Sequence, residues 1–570
     1  MYLAKAVRGA KSGVAVPSKS QYFKSVSHNS NPLEKPQTEP LHDEQIINNA
    51  GGYVFSVDDM IYLKRFIFLG TEKGTYYASE SKLTADSVQC LDRLLKQSRG
   101  EEILQFLESV NMENRAAKSG PTLFALAYIA KLGEVDLRKK VYQSLHSFIR
   151  IPTQLFEFLE YSQTISKAKK ESKGWGRLQR QFVKKWYEEK DIETLSYQVT
   201  KYQQRNGWSH RDVFRLAHVV ASAGNRPEER AILYKWIVKK ELEPESSESK
   251  VREYLNAFID LQKTTEEELP MVIESIYKYK FVREHIPTPL LNNKRVWEEL
   301  LQGMPLGALV RNLNKMTKLG LFDGFSNQNL DIVCDKLTDE NCLQKARIHP
   351  LKLSVALLTY SKGKGDKGKL EWSPNQKVVD SLNNAYYKSF KFFPPTGKRF
   401  LIGLDVSASM TWAHCVGTPI TPREGSALLA LALMKAEKNT LLKGFSHTLV
   451  DVPISPERRL DDNIAEISRI PMGATDLCLP IKHALDNNIP VDCFIILSDN
   501  ETYSGRYHPS ETLRAYRKKT GIDARYVNIQ MTATKFSVAD PEDVHSLEIA
   551  GFDSGMIETI NEFLSWELLD

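Results

Sequence analysis

The stretch Phe400-Leu401-Ile402-Gly403-Leu404-Asp405-Val406-Ser407-Ala408-Ser409-Met410 decides the fold of the C-terminal part of the chain. A short apolar run that ends in a polar loop is typical of a buried strand in a parallel sheet. It is followed by one carboxylate and two hydroxyls, Asp405, Ser407 and Ser409. Because the chain turns just past a strand, these side chains are expected to converge on one point. Their oxygens suit a hard divalent cation such as Mg²⁺, whose shell an incoming acidic group would complete.

Two downstream segments carry the matching signals. Thr475 lies in Gly473-Ala474-Thr475-Asp476 between two helical patterns, and Asp499 closes the apolar run 493–498. A doubly wound sheet places such loops at the carboxyl edge of its strands, where these folds bind ligands. The alternative interpretation, a strand followed by a Ser-rich turn with no ligand, does not account for Thr475 and Asp499 at equivalent positions. The set Asp405, Ser407, Ser409, Thr475 and Asp499 resembles the metal-ion-dependent adhesion site of von Willebrand A domains.

The residues around this site alternate between strand and helix patterns. Strands are predicted at 400–404, 441–445, 493–497 and 525–529, and helices at 424–437, 463–469, 477–486, 511–518 and 555–564. This alternation implies crossover connections and a mostly parallel sheet. We therefore predict an α/β, Rossmann-like A domain over residues 396–570.

Residues 44–395 show helix after helix with short polar breaks. In 305–318, for example, Leu306, Leu309, Val310, Leu313 and Met316 recur at helical spacing. So many short helices favour a stacked, HEAT-like solenoid, although no strict repeat period is visible. The A domain follows the last helical pattern within about ten residues. We predict that it packs against both ends of the solenoid and closes a ring.

Composition limits the cellular setting. No apolar run approaches the roughly 18 residues of a membrane helix, and six cysteines without C-x-x-C pairs indicate neither disulfides nor zinc. We expect a monomer in the cytoplasm, with the nucleus as a further compartment. Residues 1–33 contain five basic and no acidic residues, which predicts that residues 1–43 form a disordered basic tail. A mitochondrial transit peptide is the alternative for this tail.

Charge is distributed unevenly along the chain. From Lys398 onward there are 17 Lys and Arg against 24 Asp and Glu, whereas the preceding part has 60 against 47. Residues 161–220 alone contain 13 basic and 6 acidic residues. Such a concentration of positive charge points to a polyanionic partner.

The basic segment also contains residues that can contact nucleic acid. Arg177, Arg180 and Lys184 are three or four residues apart, so on a helix they form one positive ridge that suits phosphates. Interleaved Trp, Tyr and His side chains can stack on unpaired bases, although each of Trp175, Trp186 and Trp208 taken singly is better explained as a core residue. The candidate RNA contacts are Lys169, Lys170, Lys173, Arg177, Arg180, Lys184, Lys201, Arg205, His210, Arg211 and Arg215.

Several short sequence motifs, in the same order along the chain, resemble those of the Ro ribonucleoprotein family, founder of the TROVE module. They are Gly74-Thr75-Tyr76-Tyr77, Gly174-Trp175-Gly176-Arg177, Arg205-Asn206-Gly207-Trp208-Ser209-His210, Met304-Pro305-Leu306, Lys345-Ala346-Arg347-Ile348-His349-Pro350 and Pro395-Thr396-Gly397-Lys398-Arg399-Phe400. The resemblance begins near Asp43. It implies a helical-repeat ring closed by an A domain. It further implies that small Y RNAs bind the outer basic surface, that single-stranded 3′ ends of misfolded non-coding RNAs enter the ring, and that the protein acts in RNA quality control and small RNA stability.

Two other classes of function compete with this interpretation. One is a metal-dependent interaction scaffold, in which the A domain grips a partner's carboxylate. The other is an enzyme, which the sequence disfavours because it lacks a D-x-D pair at Asp405, a G-x-S-x-G elbow and a P-loop. We therefore predict a non-catalytic RNA-binding protein.

Overall fold

The computed structural model describes residues 31–70, 75, 78–169, 174–221, 225–242, 249–324, 326–365, 368–390, 395–415 and 418–565. Within these ranges, the region before the A domain is an array of α-helices joined by short loops. The helices are α1 Asp59–Leu69, α2 Glu80–Lys96, α3 Gly100–Glu113, α4 Gly120–Leu132, α5 Val135–Phe148, α6 Pro152–Ala168, α7 Arg177–Glu188, α8 Ile192–Lys201, α9 His210–Ala217, α10 Pro227–Lys239, α11 Lys250–Lys263, α12 Leu269–Tyr279, α13 Lys294–Gly303, α14 Leu306–Lys318, α15 Gln328–Thr338, α16 Glu340–Ala346, α17 Pro350–Ser361 and α18 Gln376–Lys388.

Most of these helices pack on helices one to three places away in the chain, as in a solenoid. The amphipathic pattern that predicts α14 is confirmed. Its five apolar residues are all buried, Pro305 precedes its first turn, and Gly320 follows its end with φ +73°.

The A domain is a sheet covered by helices. Its helices are α19 Pro422–Ala436, α20 Leu460–Arg469, α21 Leu479–Asp486, α22 Pro509–Thr520 and α23 Met556–Ser565. The strands of the chain are β1 Gln45–Ile47, β2 Tyr53–Ser56, β3 Gln204–Arg205, β4 Trp208–Ser209, β5 Phe400–Asp405, β6 Thr440–Phe445, β7 Leu449–Val450, β8 Cys493–Ser498, β9 Arg525–Gln530, β10 Phe536–Ser537 and β11 Ser546–Ala550. The main sheet has the order β11-β9-β8-β5-β6-β7 and is parallel except for the β6–β7 pair. The predicted α/β class is confirmed.

The A domain contacts both ends of the helical array. Arg65 of α1 is 1% exposed, donates to the backbone oxygens of Thr534 and Phe536, and pairs with Glu548 of β11 at 2.7 Å. At the other end, the Tyr386 hydroxyl of α18 donates to the Leu428 oxygen of α19 at 2.8 Å. These contacts agree with the predicted closure by the A domain.

The array also meets itself. The Asn114 side-chain amide after α3 donates to the Arg347 oxygen at 2.7 Å, and His349 Nε2 lies 3.1 Å from the Arg115 oxygen and 2.8 Å from that of Phe552. The loops after α3 and α16 therefore meet each other and the A domain at one junction. This contact joins positions more than 230 residues apart, so the array returns on itself.

The N-terminal segment differs from the prediction. Residues 1–30 of the predicted tail lie outside the described residues, whereas residues 34–39 contact the A domain at Gly505, Arg506 and His508. Strands β1 and β2 form an antiparallel sheet with β10 of that domain. The polar, Pro-rich composition of residues 31–43 does not reveal backbone pairing with residues about 470 positions away.

None of the helices in the described part of the chain is long and apolar enough to cross a membrane.

Candidate metal centre and nucleic-acid surface

The carboxyl edge of the main sheet brings the three predicted metal segments together. Strand β5 ends at Asp405, whose Oδ1 accepts from the Ser407 backbone N–H at 2.9 Å and whose Oδ2 accepts from Ser498 Oγ at 2.6 Å. Ser407 Oγ and Ser409 Oγ lie 3.1 Å apart, and the Ser409 hydroxyl also bonds to Asp499. The side chains at the ends of β5 and β8 therefore form one cluster.

Thr475 reaches this edge through backbone bonds. The Ala408 N–H donates to the Gly473 oxygen at 3.2 Å, and the Thr475 oxygen accepts from the N–H groups of Tyr503 and Ser504, both at 3.1 Å. The loop containing Thr475 is thus tied to the loops that follow β5 and β8.

All five predicted metal residues are buried, and the carboxyl groups among them repel each other. Burial, followed by the charge of Asp499, raises the pKa of Asp405 to about 7. Burial also raises the pKa of Asp499 above its usual range. Two carboxylates in so dry a place need a cation or a proton to compensate their charge.

The donor set fits a hard divalent cation. Among the described residues no group of three or more His, Cys, Asp and Glu is placed to hold a metal, so a cation here relies on two carboxylates and three hydroxyls. Neutral and anionic oxygens of this kind suit Mg²⁺ rather than zinc.

Two charged residues beside this cluster were missed from the sequence. Glu501, two residues after Asp499, is buried, and burial together with the charge of Asp499 raises its pKa to about 8. Arg423, in the first turn of α19, is buried within electrostatic reach of Asp405. The position of Glu501, two residues after Asp499, could have indicated from the sequence that it lies near the site, whereas no sequence pattern indicates Arg423.

The predicted basic ridge is present on two adjacent helices. Arg177 and Arg180 on α7, and Arg211 and Arg215 on α9, are exposed, and Lys184 is half-buried. Among the residues that the structure describes, no acidic side chain is paired with any of these four arginines. Their charge is therefore available to an external anion. Lys170 and Lys173 lie outside the described residues.

A short hairpin next to α9 presents further candidates. Strands β3 and β4 are joined by Asn206 and Gly207, with φ of 51° and 75°, as a type I′ turn requires. Arg205 is exposed on this hairpin, and Trp208 packs against Trp175 with ring centroids 5.9 Å apart. Both indoles are half-buried and pack against the core of the helical array.

His210, which the sequence pattern places among the RNA contacts, is a buried core residue in this structure. Its Nε2 lies 3.0 Å from the Tyr202 oxygen, so this nitrogen donates and Nδ1 accepts from the Tyr187 hydroxyl at 2.7 Å. Burial lowers the pKa of His210 to about 3. The neutral ring has both nitrogens satisfied and links α7 to α9.

Two predicted lysines already have partners. Lys169 Nζ lies 2.6 Å from Asp92 and over the Tyr128 ring. Half-buried Lys201 lies over the rings of Tyr197 and Tyr202. Fewer residues therefore face solvent with a free charge than the eleven candidate RNA contacts named from the sequence.

The expectation that Trp186 is a core residue agrees with the structure, since Trp186 is buried and its indole N–H donates to the Ile149 oxygen at 2.6 Å.

Comparisons with known proteins agree with this architecture. A family model described as "Ro60 vWA domain" matches residues 399–564, and the "TROVE domain" model matches residues 46–278 and 240–358. The chain belongs to the RO60 family.

Two curated members of the RO60 family are similar over nearly their full length. The Caenorhabditis elegans "RNA-binding protein RO60" is 36% identical over 596 aligned residues, which cover 93% of this chain and 92% of that protein. The Deinococcus radiodurans "RNA-binding protein RO60" is 32% identical over 541 aligned residues, which cover 94% and 98%. The crystal structure of the D. radiodurans RO (RSR) protein superposes with a TM-score of 0.66 and 30% identity, covering 89% of this chain and 99% of that one.

Proposed function

We propose that this protein binds structured RNA on the surface formed by α7, α9 and the β3–β4 hairpin. The observation that carries the proposal is a row of four exposed arginines, Arg177, Arg180, Arg211 and Arg215, none of which is paired with an acidic side chain of the described residues. Lys and Arg that neutralise phosphates supply affinity without reading sequence. The two relatives named RNA-binding protein support this assignment. Within this class, small Y RNAs are the proposed ligands, and no catalytic step is required.

The test is the salt dependence of binding to one hairpin-rich RNA. Replacing any one of these four arginines by Gln should lower the slope of log K against log salt by roughly 0.7–0.9, and replacing all four should lower it by roughly 3. Lys169→Gln is the matched control, because Asp92 already neutralises that ammonium. An unchanged slope in the quadruple variant would show that RNA does not bind at this surface.

We further propose that the ring receives the single-stranded 3′ end of a misfolded RNA. Three cations support a site for its phosphates: Lys118 before α4, Arg311 on α14 and Lys352 on α17. Arg311 and Lys352 are exposed and Lys118 is half-buried. Partial desolvation, and then the charges of Arg311 and Lys118, lower the pKa of Lys352, so these three cations lie within electrostatic reach of one another. They come from segments on either side of the junction where the array meets itself. A strand of phosphates would relieve their repulsion.

Tailed and blunt versions of one hairpin-rich RNA separate the two modes. The 3′ tail should strengthen binding to the wild type, and Arg311→Gln with Lys352→Gln should abolish that gain while leaving blunt RNA bound. Arg177→Gln should weaken both RNAs alike. Equal affinity of the wild type for the two RNAs at physiological salt would exclude threading. Such selectivity for unpaired ends would serve RNA quality control.

At the edge of the main sheet we propose a Mg²⁺ site that engages an acidic group of a protein partner. Asp405 and Asp499 would hold the cation with Ser407, Ser409 and Thr475, and the cation would supply the charge that attracts a carboxylate. Apolar side chains at the rim favour a protein ligand: Trp412 is 62% exposed and Met472 is 56% exposed, and Thr411 contacts Met472. In isolated monomers such exposed apolar residues mark interaction sites when they cluster.

Metal binding is measured on the full chain by thermal stabilisation in Mg²⁺ or Mn²⁺. At a hundred times the dissociation constant the cation should stabilise the fold by about 2.7 kcal/mol. Asp405→Asn should remove this effect and leave RNA affinity intact; an undiminished stabilisation in the variant would refute the site. The role of the exposed apolar residues is tested by measuring how much of a peptide with adjacent Glu and Phe residues the protein binds in Mg²⁺ and in EDTA. Trp412→Ala should weaken the metal-dependent part alone.

A further inference from the structure

The segment 35–52, here called the N-terminal strap, lies across two of the loops that carry the proposed metal residues. The backbone N–H groups of Lys35 and Gln37 donate to the oxygens of Arg506 and Gly505, each at 2.9 Å. The loop that contains these two oxygens begins at Asp499. The strap therefore extends the metal edge of the A domain with a stretch of chain from the other end of the sequence.

One buried side chain of the strap joins the two loops. Gln37 is fully buried, and its Nε2 donates to Asp476 Oδ1 and to the Tyr507 oxygen, both at 2.8 Å, while its Oε1 accepts from the Thr502 hydroxyl. Asp476 directly follows Thr475, and Thr502 lies three residues after Asp499. A single amide thus spans the Thr475 loop and the Asp499 loop.

A second set of bonds holds the residues next to Asp499. Asn48 Nδ2 donates to the oxygens of Asn500 and Thr502, at 3.2 and 2.8 Å. The Glu501 carboxylate accepts from Asn49 Nδ2 at 2.7 Å and from the Ala50 N–H at 3.1 Å. These bonds satisfy the backbone and the buried acid that the loop would otherwise leave without partners.

The strap and the loop that begins at Asp499 approach each other so closely that an added Cβ would clash at one glycine on each side. A Cβ at Gly52 would lie 1.8 Å from the Thr502 oxygen, and one at Gly505 would lie 2.2 Å from Gln37 Nε2 and 2.3 Å from Asp476 Oδ1. No side chain fits between strap and loop at either point. Loop positions are therefore set by direct contact with the strap.

We infer that the N-terminal strap is a structural part of the metal site, with Gln37 and Asn49 as positioning residues for Thr475 and Asp499. This inference rests on the metal site proposed above. The region matched by the A-domain family model, residues 399–564, lacks the strap. Cation affinity therefore depends on residues that precede the whole helical array.

The experiment uses the full chain and two readouts. Mn²⁺ affinity is measured by calorimetry, and hydrogen exchange of peptides covering residues 499–507 is measured without metal. Gln37→Ala should weaken Mn²⁺ binding at least tenfold and accelerate exchange in that loop. Asn49→Ala, a half-buried position, is the milder variant should Gln37→Ala fold poorly, and it should weaken Mn²⁺ binding severalfold. Thr38→Ala, an exposed neighbour, is the matched control and should behave as wild type.

The outcomes distinguish the two proposals. Wild-type Mn²⁺ affinity and wild-type exchange in both strap variants would overturn the strap inference and leave the metal site standing. Absence of Mn²⁺ binding to the unmodified protein, or equal binding by Asp405→Asn, would overturn the metal site and with it the inference. Loss of affinity in the strap variants, with Thr38→Ala unaffected, establishes the positioning role.

Discussion

Adjacent residues His210 and Arg211 should respond to substitution in opposite ways. His210→Ser removes a buried ring, leaves the Tyr187 hydroxyl and the Tyr202 oxygen without their partner, and opens a cavity beside Phe156, whose ring centroid is 5.0 Å from that of His210. Unmet buried polar groups and a cavity of this size together cost roughly 2–4 kcal/mol. Arg211→Gln changes only an exposed side chain and should alter stability by less than about 0.5 kcal/mol.

The assay pairs stability with RNA affinity for each variant. Hydrogen exchange of peptides from α7 and α9 should rise steeply in His210→Ser and stay unchanged in Arg211→Gln. RNA binding is measured well below the melting temperature. In Arg211→Gln both the affinity and the slope of log K against log salt should fall, whereas in His210→Ser the slope should stay as in the wild type. A His210→Ser protein with normal exchange and weakened RNA binding would refute the core assignment and restore a direct contact.

Three further predictions concern the junctions and the metal edge. Arg65→Met breaks the buried pair with Glu548 and should cost about 3–5 kcal/mol, whereas the double variant that combines Arg65→Met with Glu548→Leu should recover part of this loss in urea unfolding. Burial lowers the pKa of His349 to about 4, below its unfolded value of about 6.5, so the folded state binds fewer protons in that window and stability is lost as pH falls through it. His349→Gln should flatten this fall by at most about 1.4 kcal/mol per pH unit, and more between pH 6 and 5 than between pH 7 and 6, as read from unfolding midpoints at the three pH values. Because the metal-free pKa of Asp405 is raised to about 7, its contribution to stability declines as pH rises from about 4 to about 7, and protons compete with the cation there. The melting-temperature gap between Mg²⁺ and EDTA should therefore be wider at pH 8 than at pH 6, and an equal gap would contradict the assignment.

Continuous apolar runs explain why the central strands were predictable. Strand β5 and strand β8 are buried along their whole length, and their sequences show no polar interruption. Strand β11 was missed because Glu548 in its middle breaks that pattern. The carboxylate is tolerated there only because Arg65, from the far end of the chain, pairs with it.

Partners distant in sequence also explain why some of the candidate RNA-binding residues contact other parts of the protein. Lys169 has the same local context as its basic neighbours, and only the fold brings Asp92 to it. His210 sits among basic residues in sequence, yet the helical period turns it inward while Arg211 turns outward. The β3–β4 hairpin, by contrast, was open to prediction, since Asn-Gly is a strong signal for a type I′ turn.

The buried Arg65 has a consequence for how the protein is made. Its partner Glu548 is 483 residues downstream. At translation rates of about 5–20 residues per second, helix α1 waits roughly 25–100 s before the chain segment that neutralises its guanidinium leaves the ribosome. Over that time the inner face of α1 and the edge of β2 remain uncovered, a surface that chaperones recognise and that other nascent chains can pair with. A chain truncated before β11 lacks the carboxylate that pairs with Arg65, so this junction of the ring can close only after β11 has been synthesised.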